Sequence, residues 1–257
     1  AAAADAAEKP ARVISLSGLA ELRERRWEED GSLYLGAATT HAQVAADPDI
    51  KRVFPALAEG CRNVGSWSIR VAGTLGGNIC TAAPSADSAG PLLMYTARVV
   101  VTDGAEEREL PLSAFFTGPG QKALHPGEVV MGFLIKHPGP HGWSFLKLGR
   151  RAAVDLALVS VTAVVWRATS GACRELRVAL GAVAPTPLVV ERLDGVAAGR
   201  PWGPDLVDEV AKLAMAQCRP ISDIRASAEY RTRMVGVLTR RALNAAWDRA
   251  PLPGGEE

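Results

Sequence analysis

The sequence has few cysteines, few aromatic residues and almost no net charge. Its four cysteines, Cys61, Cys80, Cys173 and Cys218, are scattered and form no CxxC pair. This pattern argues against a disulfide framework and against a zinc or iron–sulfur site on this chain. Because 29 Lys and Arg residues nearly balance 28 Asp and Glu residues, no bulk charge attracts nucleic acid. The arginines of 219–249 alternate with apolar residues, which is typical of the solvent face of a helix.

Long hydrophobic runs are also missing. No stretch approaches the roughly 20 apolar residues that would span a bilayer. The apolar start, Ala1–Ala7, lacks the basic region and the long hydrophobic region of a secretory signal. We therefore expect a cytoplasmic protein that binds neither membrane nor nucleic acid.

The first half of the chain contains short strand patterns. We predict strands at Arg12–Ser17, Ser32–Ala38, Ala97–Thr102 and Glu128–Ile135, since apolar and β-branched residues alternate there or cluster between turn residues. Length and an apolar content of 48% suit one large domain or two of ordinary size.

The second half begins after a segment rich in Pro and Gly, His137–Gly142, which is the clearest boundary in the chain. Leu156–Trp166 and Glu175–Val183 are predicted to pair as a hairpin. Pro204 then opens a helix, and Ser227 is the predicted N-cap of a long final helix. Strands followed by helices indicate an α+β unit.

Residues 64–90 are rich in Gly, Ser and Ala and have no steady period, which is typical of a binding segment. At their centre lies Thr74–Asn78 (TLGGN). Its adjacent glycines predict a backbone turn with positive φ, whose N–H groups form a nest for phosphate, with Thr and Asn as donors at the rim. Asp87 could accept hydrogen bonds from sugar or ribityl hydroxyls. The alternative is an ordinary tight turn with a capping Asn.

Several ordered segments resemble the flavin-binding subunit of the molybdenum hydroxylase family, the group of xanthine dehydrogenase and carbon monoxide dehydrogenase. The main one, at 62–93, is RNVGSWSIRVAGTLGGNICTAAPSADSAGPLL. The others are LGAATTH at 35–41, GEVV at 127–130, FLKLGRR at 145–151 and RASAEYR at 225–231. Together they extend the resemblance over about residues 11–249.

The resemblance implies an α+β chain with an FAD-binding domain at 11–138 and a smaller α+β C-terminal domain, with antiparallel sheet and helices, at 142–250. It implies a subunit that takes electrons from the [2Fe–2S] clusters of a small partner and passes them to an external acceptor. A large molybdopterin subunit would oxidise the substrate, and the complex would be a dimer of heterotrimers.

The resemblance also implies the residues that contact FAD. The backbone of Thr74, Leu75, Gly76, Gly77 and Asn78 would contact the pyrophosphate, and Asp87 would bind the cofactor's hydroxyls. Val64 would pack on the cofactor, and Val130 would lie on the strand near the flavin ring. Lys147 would lie near the isoalloxazine, where a cation stabilises the negative charge of reduced flavin; the alternative for this residue is an exposed strand lysine.

The start of the chain departs from the family pattern. The family opens with a small βαβ piece whose glycine-rich loop makes the first pyrophosphate contact, whereas PARVISL at 10–16 matches sequence that follows this loop. A truncated chain, a contact supplied by a partner and a homologue without FAD all explain this. The rival functions are therefore a flavin-free structural or interaction module, and a flavin oxidase that binds substrate at the flavin.

Overall fold

Three antiparallel sheets organise the computed structural model, which describes residues 12–16, 18–151 and 155–252. The five-stranded sheet has the order β1-β2-β7-β3-β4, the four-stranded sheet has the order β11-β10-β9-β8, and β5 and β6 form a small ribbon. The strands are β1 (Arg25–Trp27), β2 (Leu33–Gly36), β3 (Arg98–Thr102), β4 (Glu107–Pro111), β5 (Phe116–Gly118), β6 (Gln121–Lys122), β7 (Val129–Ile135), β8 (Gly142–Leu148), β9 (Val159–Arg167), β10 (Cys173–Gly181) and β11 (Leu188–Val189).

Helices connect and cover these sheets. They are α1 (His41–Ala46), α2 (Pro48–Val53), α3 (Pro55–Arg62), α4 (Trp67–Ala72), α5 (Leu75–Thr81), α6 (Ala89–Met94), α7 (Leu112–Phe115), α8 (Leu193–Ala197), α9 (Pro204–Gln217) and α10 (Ala228–Arg249), with a short 3₁₀ turn at Glu21–Arg23 before β1. None of the helices in the described parts of the chain has the length and apolarity needed to cross a membrane.

Two hydrophobic cores lie on opposite faces of the four-stranded sheet. Strand β9 shows this directly, because eight of its nine residues are buried. Val159 and Val161 pack in the core formed with α9 and α10, whereas Val164 and Trp166 pack in the core shared with the first sheet and its helices. The second sheet is therefore covered on both faces, and one of its faces contacts the N-terminal half of the chain.

Most of the predicted elements are confirmed. Strand β3 and the β9–β10 hairpin lie where alternation and turn residues placed them. Ser227 caps α10, since its side chain accepts a hydrogen bond from the backbone N–H of Tyr230 at 3.2 Å. Helix α9 begins at Pro204 as predicted.

Two predictions are wrong. Residues 12–16 have no regular structure, and Ser17, the end of that predicted strand, lies outside the described residues. The segment 64–90 is not a long irregular run, because it contains α4, α5 and the start of α6. Ser66 and Thr74 cap α4 and α5 through their side-chain oxygens, so short polar residues that suggested a loop begin helices instead.

Candidate functional site

The TLGGN segment begins helix α5. Thr74 is the N-cap: its backbone is extended, and its Oγ1 accepts a hydrogen bond from the N–H of Gly77 at 3.0 Å. Thr74 also forms an isolated antiparallel bridge with Thr40, which precedes α1. The start of α5 is therefore fixed against the end of the first sheet, where β2 leads into α1.

The predicted phosphate nest is wrong in its local geometry. Neither Gly76 nor Gly77 is among the residues with positive φ. The N–H of Leu75 donates to the carbonyl of Thr39 at 2.9 Å, and the N–H of Gly76 donates to the carbonyl of Ala37 at 2.8 Å. These donors are already used within the chain, so the segment is a packed helix start and not an open bend.

The two glycines serve different purposes. A Cβ on Gly76 would lie 2.6 Å from the Cβ of Ala37 and 2.8 Å from its carbonyl oxygen, so only glycine lets α5 approach the end of β2. A Cβ on Gly77 would meet only the Oγ1 of Thr74, at 3.1 Å, and Gly77 is exposed. Gly76 is therefore a packing residue, whereas Gly77 leaves open the space beside the helix.

That space is a cleft of about 490 Å³, a volume typical of small-molecule sites. It brings Thr74, Gly76 and Gly77 together with Val130 of β7, as the sequence analysis expected for one binding site. The remaining lining residues are Leu16, Leu22, Arg23, Ala37, Ala38, Thr40, Val71, Ala72, Cys80 and Val129. The cleft is mostly apolar, with hydroxyl groups at the start of α5.

Asp87 and Lys147 meet directly at the junction between the two halves of the molecule. The Nζ of Lys147, on β8, lies 2.5 Å from Oδ2 of Asp87 and donates to the carbonyl of Asn63 at 2.9 Å. The side chains are 11% and 6% exposed, respectively. The interpretation of Lys147 as an ordinary exposed strand lysine is therefore wrong, because this ammonium group is buried and paired.

Burial controls the acidity of Asp87. Its removal from water raises the pKa of the carboxyl group from 3.8 to about 6, and the neighbouring charge of Lys147 opposes this rise without cancelling it. Oδ1 of Asp87 is buried and has no hydrogen-bond partner among the described atoms. A buried carboxylate oxygen without a donor is unfavourable, so a ligand hydroxyl that donates to Oδ1 would be stabilised here.

A buried hydroxyl connects this junction to the cleft. The Oγ of Ser88 donates to Oδ1 of Asn78 at 2.7 Å, which links the residue after Asp87 to helix α5. Val64 is buried immediately after Asn63 and does not line the cleft. The structure thus places most of the expected site residues at the cleft or at the junction, whereas Leu75 is fully buried and lines neither. The Asn78–Ser88 hydrogen bond links the two groups.

The sequence analysis missed some of the residues around this site. Thr40 lines the cleft and is held by a capping box with Gln43. His41, next to it, is buried with an unpartnered Nδ1, and burial lowers its pKa to about 4. The motif LGAATTH at 35–41 indicated this region, but nothing in its local pattern showed that it faces α5.

Comparison with known families decides the assignment. Residues 3–136 match the family described as the FAD binding domain in molybdopterin dehydrogenase, and residues 144–246 match the carbon monoxide dehydrogenase flavoprotein C-terminal domain. The chain belongs to the FAD-binding subunits of the molybdenum hydroxylase family. The resemblance inferred from the sequence is confirmed.

Individual relatives support the same family. This chain is 33% identical to the xanthine dehydrogenase FAD-binding subunit of Escherichia coli O157:H7, in an alignment that covers 91% of this chain and 80% of the relative. It is 31% identical to the carbon monoxide dehydrogenase medium chain of Hydrogenophaga pseudoflava, in an alignment that covers 94% of this chain and 83% of the relative. The solved structure of carbon monoxide dehydrogenase from that organism matches with a TM-score of 0.86 at 30% identity, over 90% of this chain and 80% of that chain.

The cofactor of this FAD-binding subunit is FAD, and the residues present fit it. The cleft is open where Gly77 lacks a side chain. The unpartnered Oδ1 of Asp87 is an acceptor of the kind that ribityl or ribose hydroxyls need. Lys147 supplies a buried cation. Apolar walls, a hydroxyl acceptor and a cation together match a ligand that is part aromatic and part polar.

Proposed function

We propose that this FAD-binding subunit receives electrons from the [2Fe–2S] clusters of a partner and passes them to an external acceptor. The observation that carries the proposal is the connection between the cleft at α5 and the buried Asp87–Lys147 pair through Asn78 and Ser88. In this proposal one extended cofactor contacts both places.

The residues have separate roles in this proposal. The start of α5, from Thr74 to Asn78, borders the phosphates of FAD, and the glycine at 77 admits them to the cleft. Asp87 accepts from the cofactor's hydroxyls through its free oxygen. Val130, on β7, packs against the bound group in the cleft, and Val64 contacts the cofactor at the junction, next to Asn63.

Lys147 tunes the bound group electrostatically. FAD supplies the capacity to accept and release electrons, and a fixed cation beside it favours the reduced, more negative form. The ammonium group cannot swing away freely, because Asp87 and the carbonyl of Asn63 hold it from two sides. We expect a Lys147→Met variant to lower the reduction potential of the bound flavin, and Lys147→Arg, which keeps the charge, to restore most of it.

The partners follow from the same proposal. Relatives are named medium chains or subunits of dehydrogenases, and we propose that this chain likewise assembles with a large molybdopterin subunit and a small [2Fe–2S] subunit as a dimer of heterotrimers. We propose 11–138 as the FAD-binding domain and 142–250 as the C-terminal domain.

The decisive experiment uses the assembled complex. Gly77→Val fills the opening of the cleft, and Gly195→Val serves as the control because a Cβ at Gly195 meets nothing within 4 Å. We expect the Gly77→Val complex to lose its flavin and its ability to transfer electrons to the acceptor. Substrate should still reduce the iron–sulfur clusters, as seen by electron paramagnetic resonance. A wild-type complex that reduces its acceptor equally well without any flavin would refute the proposal and favour a structural module.

A further inference from the structure

Arg70 binds the turn that carries the carbonyl partner of Lys147. This arginine lies on α4 and is half-buried. Its Nη1 donates to the carbonyl of Val64 at 3.1 Å and to the carbonyl of Gly65 at 3.2 Å. The residue before them, Asn63, provides the carbonyl oxygen that accepts from Nζ of Lys147 at 2.9 Å. One guanidinium group therefore holds the two peptide carbonyls next to the oxygen that positions the buried cation.

The orientation of the Asn63 carbonyl depends on what holds the chain on either side of it. On one side, the N–H of Asn63 donates to two carbonyls in the last turn of α3, at 3.2 and 3.1 Å. The N–H of Val64, which belongs to the same peptide unit as the Asn63 carbonyl, donates to Cys61 at 3.3 Å, longer than a usual hydrogen bond. On the other side the anchor is Arg70, so its loss should allow this peptide unit to rotate.

Helix α4 has little apolar packing of its own. None of its six residues is buried, and Trp67, Ile69 and Val71 are exposed. Gly65, with a φ of +42°, lets the chain turn sharply before this helix. Because burial of apolar surface contributes little here, the charge-assisted hydrogen bonds of Arg70 are a main attachment of α4 to the turn.

We propose that Arg70 is a positioning residue, which holds the turn at 63–65 so that the ammonium group of Lys147 stays beside the flavin. The inference rests on the proposed function and deepens it, because it assigns control of the flavin's reduction potential to a residue that does not line the cleft. Asp87 and the carbonyl of Asn63 hold the ammonium group from two sides, so a shift of that carbonyl should move the cation. A cation farther from the flavin stabilises the reduced form less.

The test is a double-mutant cycle in the assembled complex, and the measured quantity is the reduction potential of the bound flavin. We expect Arg70→Met to lower the potential, by a smaller shift than Lys147→Met does. In the Lys147→Met background the same substitution should shift the potential less, because no cation is left to position. Arg70→Lys should restore most of the potential, since both hydrogen bonds come from a single nitrogen and an ammonium group has three donors.

A matched control and a milder substitution accompany this cycle. Arg52→Met also removes an arginine from the first half of the chain, but that side chain is 72% exposed and pairs with Asp49 at the surface, so the potential should not change. Arg70→Gln repeats the cycle with a polar side chain if the Met substitution prevents folding. Circular dichroism, melting curves and the ratio of flavin to protein check that each variant folds and binds the cofactor.

A second cycle uses the flavin-free full chain, so that its result does not depend on the cofactor. Urea denaturation gives the free energies of unfolding of Arg70→Met, Lys147→Met and the double variant. We expect the double variant to be less destabilised than the sum of the two single variants. The reason is that the Asn63 carbonyl, which Arg70 holds in place, binds Lys147 only while the lysine is present.

Each outcome decides between the two proposals. Either additive free energies in the flavin-free chain or equal shifts of the potential in both backgrounds would refute the role of Arg70 and leave the FAD site intact. A chain that binds no FAD but shows non-additive free energies would refute the proposed function and support the positioning of Lys147 by Arg70. Non-additivity in both cycles supports both proposals.

Discussion

Replacing Asp87 with Asn should remove a loss of fold stability that occurs in the wild type as the pH rises. Burial raises the pKa of this carboxyl group from 3.8 to about 6. Between these values the unfolded chain has lost the proton while the folded chain retains it, so stability falls as the pH rises. A rise of about two pKa units corresponds to roughly 3 kcal/mol, of which about 2–3 kcal/mol should be lost between pH 4 and pH 7.

The quantity to compare is the difference in the free energy of unfolding between Asp87→Asn and wild type, at pH 4 and at pH 7. Asn keeps the size of the side chain and does not ionise. At pH 4 the wild-type carboxyl group is protonated and forms no ion pair with Lys147, and the pair that forms as Asp87 ionises toward pH 7 is already included in its pKa of about 6. What remains is the cost of ionising Asp87 inside the protein.

Urea denaturation of the flavin-free chain at both pH values measures this difference. We expect the free energy of unfolding of Asp87→Asn, relative to that of wild type, to be about 2–3 kcal/mol higher at pH 7 than at pH 4. Asp248→Asn, which removes an exposed carboxylate from α10, is the control for a general change of charge. A variant whose stability relative to wild type is the same at pH 4 and pH 7 would show that burial does not control this carboxyl group.

Three further predictions concern packing and capping. Gly76→Ala should destabilise the fold by about 1–3 kcal/mol in urea denaturation, because its Cβ would overlap Ala37. Thr74→Ala should cost about 1 kcal/mol through loss of the N-cap of α5, and Thr74→Ser should restore it. Arg231→Met should destabilise the fold by about 1–3 kcal/mol, because the buried carbonyl of Leu158 loses its donor while Asp223 keeps its ion pair with Arg225; a melting temperature equal to that of wild type would contradict this.

Local patterns predicted the elements whose determinants lie within a few residues. Alternation and a turn place β9 and β10, and Ser227 and Pro204 mark the helix starts that the structure shows. In each case the hydrogen bonds or steric preferences that decide the structure act between neighbours in the sequence. The family resemblance added the proposed site residues, which periodicity could not supply.

The errors come from partners distant in the sequence. Paired glycines suggested an open turn, but the N–H groups of Leu75 and Gly76 find acceptors at Thr39 and Ala37, which no local pattern reveals. The arginines of the last helix suggested a solvent-exposed face, yet Arg231 is 1% exposed. Its guanidinium group donates to carbonyls of Leu158 and Ala182, which the fold alone brings near.

The Asp87–Lys147 contact shows why the two halves of the chain must act together. Asp87 and Asn63 belong to the first half, whereas Lys147 lies on β8 of the second sheet. Any rotation of the second sheet moves the cation away from both acceptors and leaves a buried carboxylate without its partner, which is costly. The ion pair therefore also fixes the orientation of the sheets.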